Sequence, residues 1–185
     1  MKRHYLLSGV KLLVAAVVTV AAVSGSASAN YQNLWSTVGA GCVPVGQTSS
    51  AHLVFNSAGD AGFVAGTVGE IILTCPVVPT VDSANALGIT YRDTDGTGTG
   101  ATIIAALRRK SLATGSVITL ASINTDSQPV VTGYARLGTL LGSGCTPITF
   151  DFKNYVYYVQ LNIRRSSTAQ QPLFASAILE NNCIQ

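Results

Sequence analysis

Four cysteines constrain what this chain can fold into more than any other feature. They are Cys42, Cys75, Cys145 and Cys183. Four cysteines allow three disulfide connectivities, which sequence alone does not normally separate. Here the midpoint of the first two falls in the turn-rich segment 56–62, and the midpoint of the last two falls in a second polar stretch. Because residues equidistant from a turn face each other in an antiparallel hairpin, the spacing predicts that Cys42–Cys75 and Cys145–Cys183 each close the open end of a hairpin.

The N-terminal segment indicates that these thiols reach an oxidising compartment. Residues 1–29 have the three parts of a secretory signal: basic residues near the start, the apolar run Leu12–Val23, and an Ala-Ser-Ala site before Asn30. The apolar run is shorter than the roughly 20 residues that a membrane-spanning helix needs. We therefore expect cleavage before Asn30 and a secreted protein, periplasmic or extracellular, with no membrane span after cleavage and one domain over residues 30–185.

A metal site is the rival interpretation of the cysteines. The chain has no C-x-x-C pair, and His52 is the only histidine after the predicted signal. Zinc sites, in contrast, usually combine closely spaced cysteine and histidine ligands. We therefore expect two structural disulfides, each closing a long loop and stabilising the fold by about 3–4 kcal/mol in the chain-entropy model.

The charge of the mature chain is balanced. The full sequence has 11 Lys and Arg against 8 Asp and Glu, and three of the basic residues lie in the predicted signal. The remaining numbers are equal, so the protein lacks the excess of basic residues typical of nucleic-acid binding. We expect no nucleic-acid partner.

Alternating apolar and polar residues, rich in β-branched side chains, predict eight to nine strands. The candidates are Ala51–Phe55, Phe63–Cys75, Leu87–Arg92, Ala101–Arg109, Ser116–Ile123, Val130–Thr139, Ile148–Phe152, Tyr155–Arg164 and Leu173–Leu179. No long segment has a composition typical of a helix. The expected fold is an all-β antiparallel sandwich with two disulfides, for which a jelly roll is one possible arrangement.

The strand Tyr155–Arg164 has the clearest pattern. Its odd-numbered residues are aromatic or aliphatic, which predicts a core face, whereas Tyr158 lies beside the polar Gln160 and Asn162 on the other face. The preceding Phe150 and Phe152 are out of phase with the core face. This mismatch predicts a bulge or a tight bend at 153–154.

Three short motifs resemble those of uncharacterised small exported bacterial proteins. They are C-V-P at Cys42–Pro44, L-T-C-P at Leu73–Pro76 and F-D-F-K-N-Y-V-Y-Y at Phe150–Tyr158. The resemblance covers most of the mature chain and implies a secreted β-rich fold. It implies no activity and no functional residues.

The loop 93–100 is a candidate calcium site. Asp93, Asp95 and Thr97 could offer the hard oxygen ligands that Ca²⁺ prefers, and the glycines allow tight wrapping. An EF-hand would need a glutamate at loop position twelve, where this chain has Ile104. The alternative is a flexible turn between two strands, and no other cofactor is expected.

Two arginine pairs are candidates for an anion or acidic-glycan site. Because adjacent strand residues point to opposite faces, at most one member of the pair 108–109 and one of the pair 164–165 joins a given patch. We select Arg109 and Arg165 as ligand-binding candidates. The alternative is that both pairs mark solvated strand ends.

Aromatic residues offer a possible sugar platform. Tyr158 and Trp35 are the candidates for exposed rings, while packing in the core is the alternative for each aromatic side chain.

The sequence favours a protein without catalytic activity. It has no G-x-S-x-G motif, and a lone His52 has no identified partner for acid–base work. The first hypothesis is a structural, surface or adhesion module, for which the low charge favours self-association. The alternative is a carbohydrate-binding module that uses Tyr158 or Trp35. The third hypothesis is a secreted hydrolase.

Processing and oxidation can be tested together by mass spectrometry. The intact mass of the exported protein should match a chain that begins at Asn30 and has lost one hydrogen per cysteine, because both disulfides form after export. Non-reducing peptide mapping should recover the Cys42–Cys75 and Cys145–Cys183 peptides. Four alkylatable thiols in the native protein would contradict the prediction.

Overall fold

Short antiparallel strands make up most of the structure, a computed structural model that describes residues 32–143 and 145–181. The predicted signal and Cys183 lie outside these residues. The strands are β1 (Gln32–Val38), β2 (Val43–Pro44), β3 (Leu53–Phe55), β4 (Ala61–Phe63), β5 (Gly69–Pro76), β6 (Ser83–Ala84), β7 (Ala86–Arg92), β8 (Ala101–Ser111), β9 (Val117–Asn124), β10 (Ala135–Leu140), β11 (Ile148–Thr149), β12 (Tyr155–Arg165) and β13 (Leu173–Asn181). One helix, α1, spans Gly46–His52, and 3-10 turns span Gly39–Gly41 and Thr125–Ser127. Within the described ranges, no helix has the length and apolar character needed to cross a membrane.

A five-stranded sheet has β12 at its centre. The strand order is β2-β5-β12-β8-β9. β12 pairs with β8 along its whole length, from Tyr155 opposite Ser111 to Arg165 opposite Ala101, and with β5 from Tyr158 onwards. Both edges of β12 are therefore occupied by hydrogen-bonded neighbours.

A six-stranded sheet forms the second layer. Its order is β10-β7-β13-β4-β3, and β1 also pairs with β13. β6 and β11 form a separate two-stranded ladder. Most connections between long strands pass from one sheet to the other, including those from β7 to β8, from β9 to β10 and from β12 to β13. The hairpin β8–β9 stays within one sheet.

The core lies between the two sheets and takes the inward face of each. Its largest fully buried side chains are Ile71, Leu73, Val81, Leu87, Ile89, Ile103, Leu107, Tyr157, Leu161, Ile163, Phe174 and Leu179. They come from both sheets and pack into one cluster, and burial of each such side chain contributes about 1.5–3 kcal/mol. The structure therefore confirms an all-β sandwich of antiparallel sheets.

Most strand predictions match the structure, and the mismatches have local causes. Residues predicted as the strand Ala51–Phe55 begin in α1, whose Ser49 Oγ accepts a hydrogen bond from the backbone N–H of Ile72 at 2.9 Å. The helix thus satisfies a donor at the edge of β5. The predicted strand Phe63–Cys75 is interrupted by a turn in which the N–H of Thr67 donates to the carbonyl of Val64. The sequence analysis missed β1.

The Cys42–Cys75 disulfide is confirmed, and so is its hairpin register. Val43 lies opposite Thr74, which places the two cysteines opposite each other with 4.3 Å between their Cα atoms. That spacing matches a non-hydrogen-bonded antiparallel pair. The middle of the hairpin continues as β3 and β4 in the other sheet, around a turn at 56–60. The disulfide therefore closes an excursion that joins the two layers.

The second hairpin prediction is wrong for the strands that the structure describes. β12 and β13 lie in different sheets, because the edges of β12 are taken by β5 and β8 while those of β13 are taken by β7 and by β1 with β4. Neither strand has a free edge for the other. Cys145 is disulfide-bonded, and its pairing with Cys183 stays a prediction.

The predicted bend before β12 is confirmed. The N–H groups of Asn154 and Tyr155 donate to the carbonyl of Asp151, and the Asp151 carboxylate accepts from the N–H of Lys153 at 3.1 Å. This turn shifts the phase of the chain, so Tyr157 enters the core, where its ring meets that of Phe150 edge-on at 4.7 Å.

Removal of the first disulfide should destabilise the protein strongly. The bridge spans a sequence separation of 33 residues, for which the chain-entropy model gives about 3–4 kcal/mol. We expect the double variant Cys42→Ala/Cys75→Ala to lose about this much in urea unfolding. Val43→Ala, a change at a neighbouring side chain that is 63% exposed, is the control and should stay within about 0.5 kcal/mol of wild type. An unchanged unfolding midpoint in the double variant would contradict the role of the bridge.

Candidate functional site

The outer face of the five-stranded sheet is the candidate site. It is formed by the even-numbered residues of β12 and their neighbours on β5, β8 and β9. From one end to the other the cross-strand rows are Val156 with Lys110 and Val117, Pro76 with Tyr158, Arg108 and Thr119, Thr74 with Gln160, Ala106 and Ser122, Ile72 with Asn162, Ile104 and Asn124, and Glu70 with Arg164 and Thr102. We call these five rows the outer face.

The outer face is open to solvent along β12. The elements packed against β12 are its sheet neighbours and, across the core, β13. Tyr158, Gln160 and Asn162 are half-buried, and Val156 is exposed. Their partial burial comes from neighbouring side chains of the same face, so each ring or amide presents one side to water.

A shallow depression lies at the middle of the outer face. Ala106 is 6% exposed although it points outward, because longer side chains stand on every side of its methyl group. Tyr158 and Arg108 stand on one side of it, and Asn162 and Ile104 stand on the other. The rows thus form a trough across the strands with an aromatic wall and an amide wall.

Hydrogen bonds hold the amide end of the outer face in place. Gln160 Nε2 donates to Asn162 Oδ1 at 3.4 Å, and Asn162 Nδ2 donates to Glu70 Oε1 at 3.1 Å. Arg164 Nε also donates to Glu70 Oε1, at 2.8 Å. This network orders polar groups before any ligand arrives, which lowers the entropy cost of binding.

Arg108 and Lys110 give the opposite end of the outer face its charge. Arg108 is half-buried and Lys110 is exposed. Arg108 lies directly opposite Tyr158, and Lys110 lies opposite Val156. The Nε atom of Arg108 is buried and has no hydrogen-bond partner among the described residues.

The structure moves the predicted arginine site from one member of each pair to the other. Arg165 is 6% exposed, and its guanidinium donates to the carbonyls of Thr67, Gln170 and Val64 while stacking on the Phe63 ring at 4.6 Å. Burial also lowers its pKa. The fold therefore uses this guanidinium to join its loops, and Arg164 takes the outward position.

Arg109 also points away from the outer face. It has the same orientation as the core residues of β8, and its guanidinium lies over the Tyr155 ring, 4.4 Å from the centroid. Sequence reasoning missed Arg108 for the outer face, although period-two alternation from Ile103 and Leu107, both fully buried, would have pointed to it.

Of the two aromatic candidates, only Tyr158 lies on the outer face. Trp35 on β1 is 8% exposed and belongs to the core cluster, opposite Leu179 of β13. Its indole fills the space between the sheets instead of meeting a ligand. This placement corrects the expectation of an exposed Trp35.

The loop 93–100 uses its carboxylates to hold itself together. Asp93 is fully buried, and its Oδ2 accepts from Thr125 Oγ1 at 2.5 Å. Asp95 accepts from the N–H groups of Gly100 and Ala101 at 2.6 and 3.0 Å, while Thr97 is exposed. Within residues 32–143 and 145–181, no group of three or more His, Cys, Asp or Glu side chains is placed to hold a metal ion.

Burial raises the pKa of the Asp93 carboxyl, and the hydrogen bond from Thr125 opposes the shift. Thr125 in turn accepts from the N–H of Ile103 at 2.9 Å. The contact therefore ties the loop and the 3-10 turn to β8, and it accounts for the Asp93 side chain without a cation.

Comparisons with known proteins find similar strand arrangements at low identity. The sequence matches no protein-family model and no curated protein. Carbohydrate-binding module CBM36, solved with calcium and xylotriose, has a TM-score of 0.47 and 10% identity over 78% of this chain and 98% of that one. The xylan-binding module CBM15 has a TM-score of 0.44 and 12% identity over 80% and 97%. CsCBM6-3 from Clostridium stercorarium, solved with cellobiose, has a TM-score of 0.41 and 12% identity over 80% and 91%. These values assign neither a family, a ligand nor a calcium ion to this chain.

The buried Asp93 carboxyl makes stability depend on pH in a defined direction. As pH rises above 3.8, the ordinary value, the unfolded chain releases this proton before the folded protein does, so the folded state loses stability until its raised pKa is passed. Asp93→Asn has no such titration. The free energy of unfolding of wild type minus that of Asp93→Asn should therefore fall as pH rises through this window.

Asp151→Asn is a control of opposite sign. The hydrogen bond from the Asn154 side chain lowers the pKa of Asp151, so wild type should gain stability relative to this variant as pH rises from that lowered value to 3.8. Denaturant unfolding at several pH values measures both differences. A flat difference for Asp93→Asn would show that its carboxyl is not desolvated.

Proposed function

We propose that this protein is an exported, non-catalytic carbohydrate-binding module whose binding platform is the outer face. The observation that carries the proposal is an open sheet face on which one half-buried tyrosine stands beside ordered amides. A tyrosine ring offers a flat apolar surface to the C–H side of a sugar, and side-chain amides donate to and accept from its hydroxyl groups. The site lies on the central strands, which fix its geometry better than loops do.

The finer features of the fold form part of the same proposal. The predicted signal, a second disulfide and secretion place the module outside the cytoplasm, where polysaccharides occur. The frequent crossing of the chain between sheets supports a jelly-roll arrangement, a double-sheet architecture that lectin domains also use. Binding to a glycan surface would also supply the contact that a surface or adhesion module needs.

Tyr158→Ala tests the platform directly. The variant should bind any recognised polysaccharide about five- to thirty-fold more weakly, since loss of an anchoring aromatic contact costs about 1–2 kcal/mol. A glycan array with the wild-type protein identifies the ligand, and affinity electrophoresis or titration calorimetry measures the loss. Because Tyr158 lies outside the core, its thermal unfolding midpoint should change little.

Phe55→Ala is the matched control for this test. Phe55 is a 37% exposed aromatic residue on β3 of the other sheet. Its removal should leave glycan binding unchanged. The proposal fails if the wild-type protein binds no glycan, or if Tyr158→Ala binds as tightly as wild type.

A further inference from the structure

We propose that the ligand of the outer face is an acidic polysaccharide, and that Arg108 and Lys110 bind the carboxylate of a uronic acid unit whose ring stacks on Tyr158. This inference rests on the proposed function and adds the chemical class of the ligand.

The two cations and the aromatic ring lie close together because of the strand register. Arg108 and Tyr158 are directly opposite, so their Cβ atoms are about 4.5–5.5 Å apart. Lys110 follows on the same face of β8, about 7 Å further along the strand. A sugar placed on the Tyr158 ring therefore has both cations within reach of a substituent at its edge.

The protein leaves these cations without acidic partners. The ion pairs among the described residues join Arg164 to Glu70 and Arg136 to Glu180, and neither involves Arg108 or Lys110. Glu70 is the one acidic residue in the five rows of the outer face, and it lies at the far end, already bound to Arg164 and Asn162. The end beside Tyr158 therefore carries uncompensated positive charge.

The unpartnered Nε of Arg108 points to the type of group that completes the site. A buried donor without an acceptor costs free energy that a ligand oxygen can recover. The planar guanidinium presents parallel N–H groups that match the two oxygens of a carboxylate, while a lysine ammonium adds a point charge. A neutral sugar offers no group that would use both cations, whereas a uronic acid does.

The test compares each acidic polymer with its own neutral form. The probes are soluble polygalacturonate, alginate and hyaluronate, each before and after chemical reduction of its carboxyl groups to alcohols. Wild type should bind at least one acidic polymer about tenfold or more tightly than the reduced form, because hydrogen bonds to charged groups are the strong ones. The preference should shrink as salt is added, since the cations are partly exposed.

Arg108→Gln should remove this preference, so that the variant binds the acidic and reduced polymers about equally. Arg92→Gln is the matched control, because Arg92 lies on β7 of the other sheet and donates to the Gln171 carbonyl at 3.4 Å. It should keep the wild-type preference. The inference is overturned if wild type binds no acidic polymer better than its reduced form, or if Arg108→Gln retains the preference.

The outcomes separate the inference from the function on which it rests. If reduced and acidic polymers bind equally and Tyr158→Ala weakens both, the platform stands and the acidic ligand class is wrong. If neither the panel nor the wider array shows binding, the proposed function fails and the acidic ligand class fails with it.

Discussion

The pairing of β12 with β5 and β8 is the constraint on which the rest of the structure depends. A strand has two faces, and a shift of register by one residue would exchange them. The register that buries Tyr157, Leu161 and Ile163 also places Tyr158 beside Arg108 on the outside. The stability of the core therefore fixes the geometry of the candidate site, and the site needs no loop to assemble it. The short turn at Asp151 sets this phase before the strand begins.

Local pattern was enough to predict the fold class and the faces of the longest strand, and the position of one disulfide followed from symmetry around a turn. The same symmetry argument failed at Cys145 because it considered one pair of strands at a time. Whether β12 can pair with β13 depends on which strands already occupy their edges, and those neighbours, such as β8 and β7, are distant in sequence. Strand partners of this kind are a property of the whole sheet.

The candidate site was predictable to the extent that alternation could be followed along the chain. Tyr158 was placed correctly because its strand has an unbroken period of two. Trp35 was not, since the sequence analysis missed β1 and its pairing with β13, which buries the indole. For the arginine pairs the alternation was available in principle. Arg165 continues the buried face of β12, and its guanidinium caps loop carbonyls, a role that the residue type alone does not reveal.

Polar groups in this molecule separate into those that the fold satisfies and those that it leaves available. Arg165 bonds to three backbone carbonyls, and Asp93 bonds to Thr125. Their burial is explained by these partners, because an unsatisfied buried polar group is costly. Arg108 has no such explanation for its Nε atom, and it lies beside an aromatic ring on an open face. A charged group that the fold orients without pairing is one whose partner comes from outside the chain. For this reason the outer face is a stronger candidate for recognition than the loop 93–100, whose carboxylates already have internal donors.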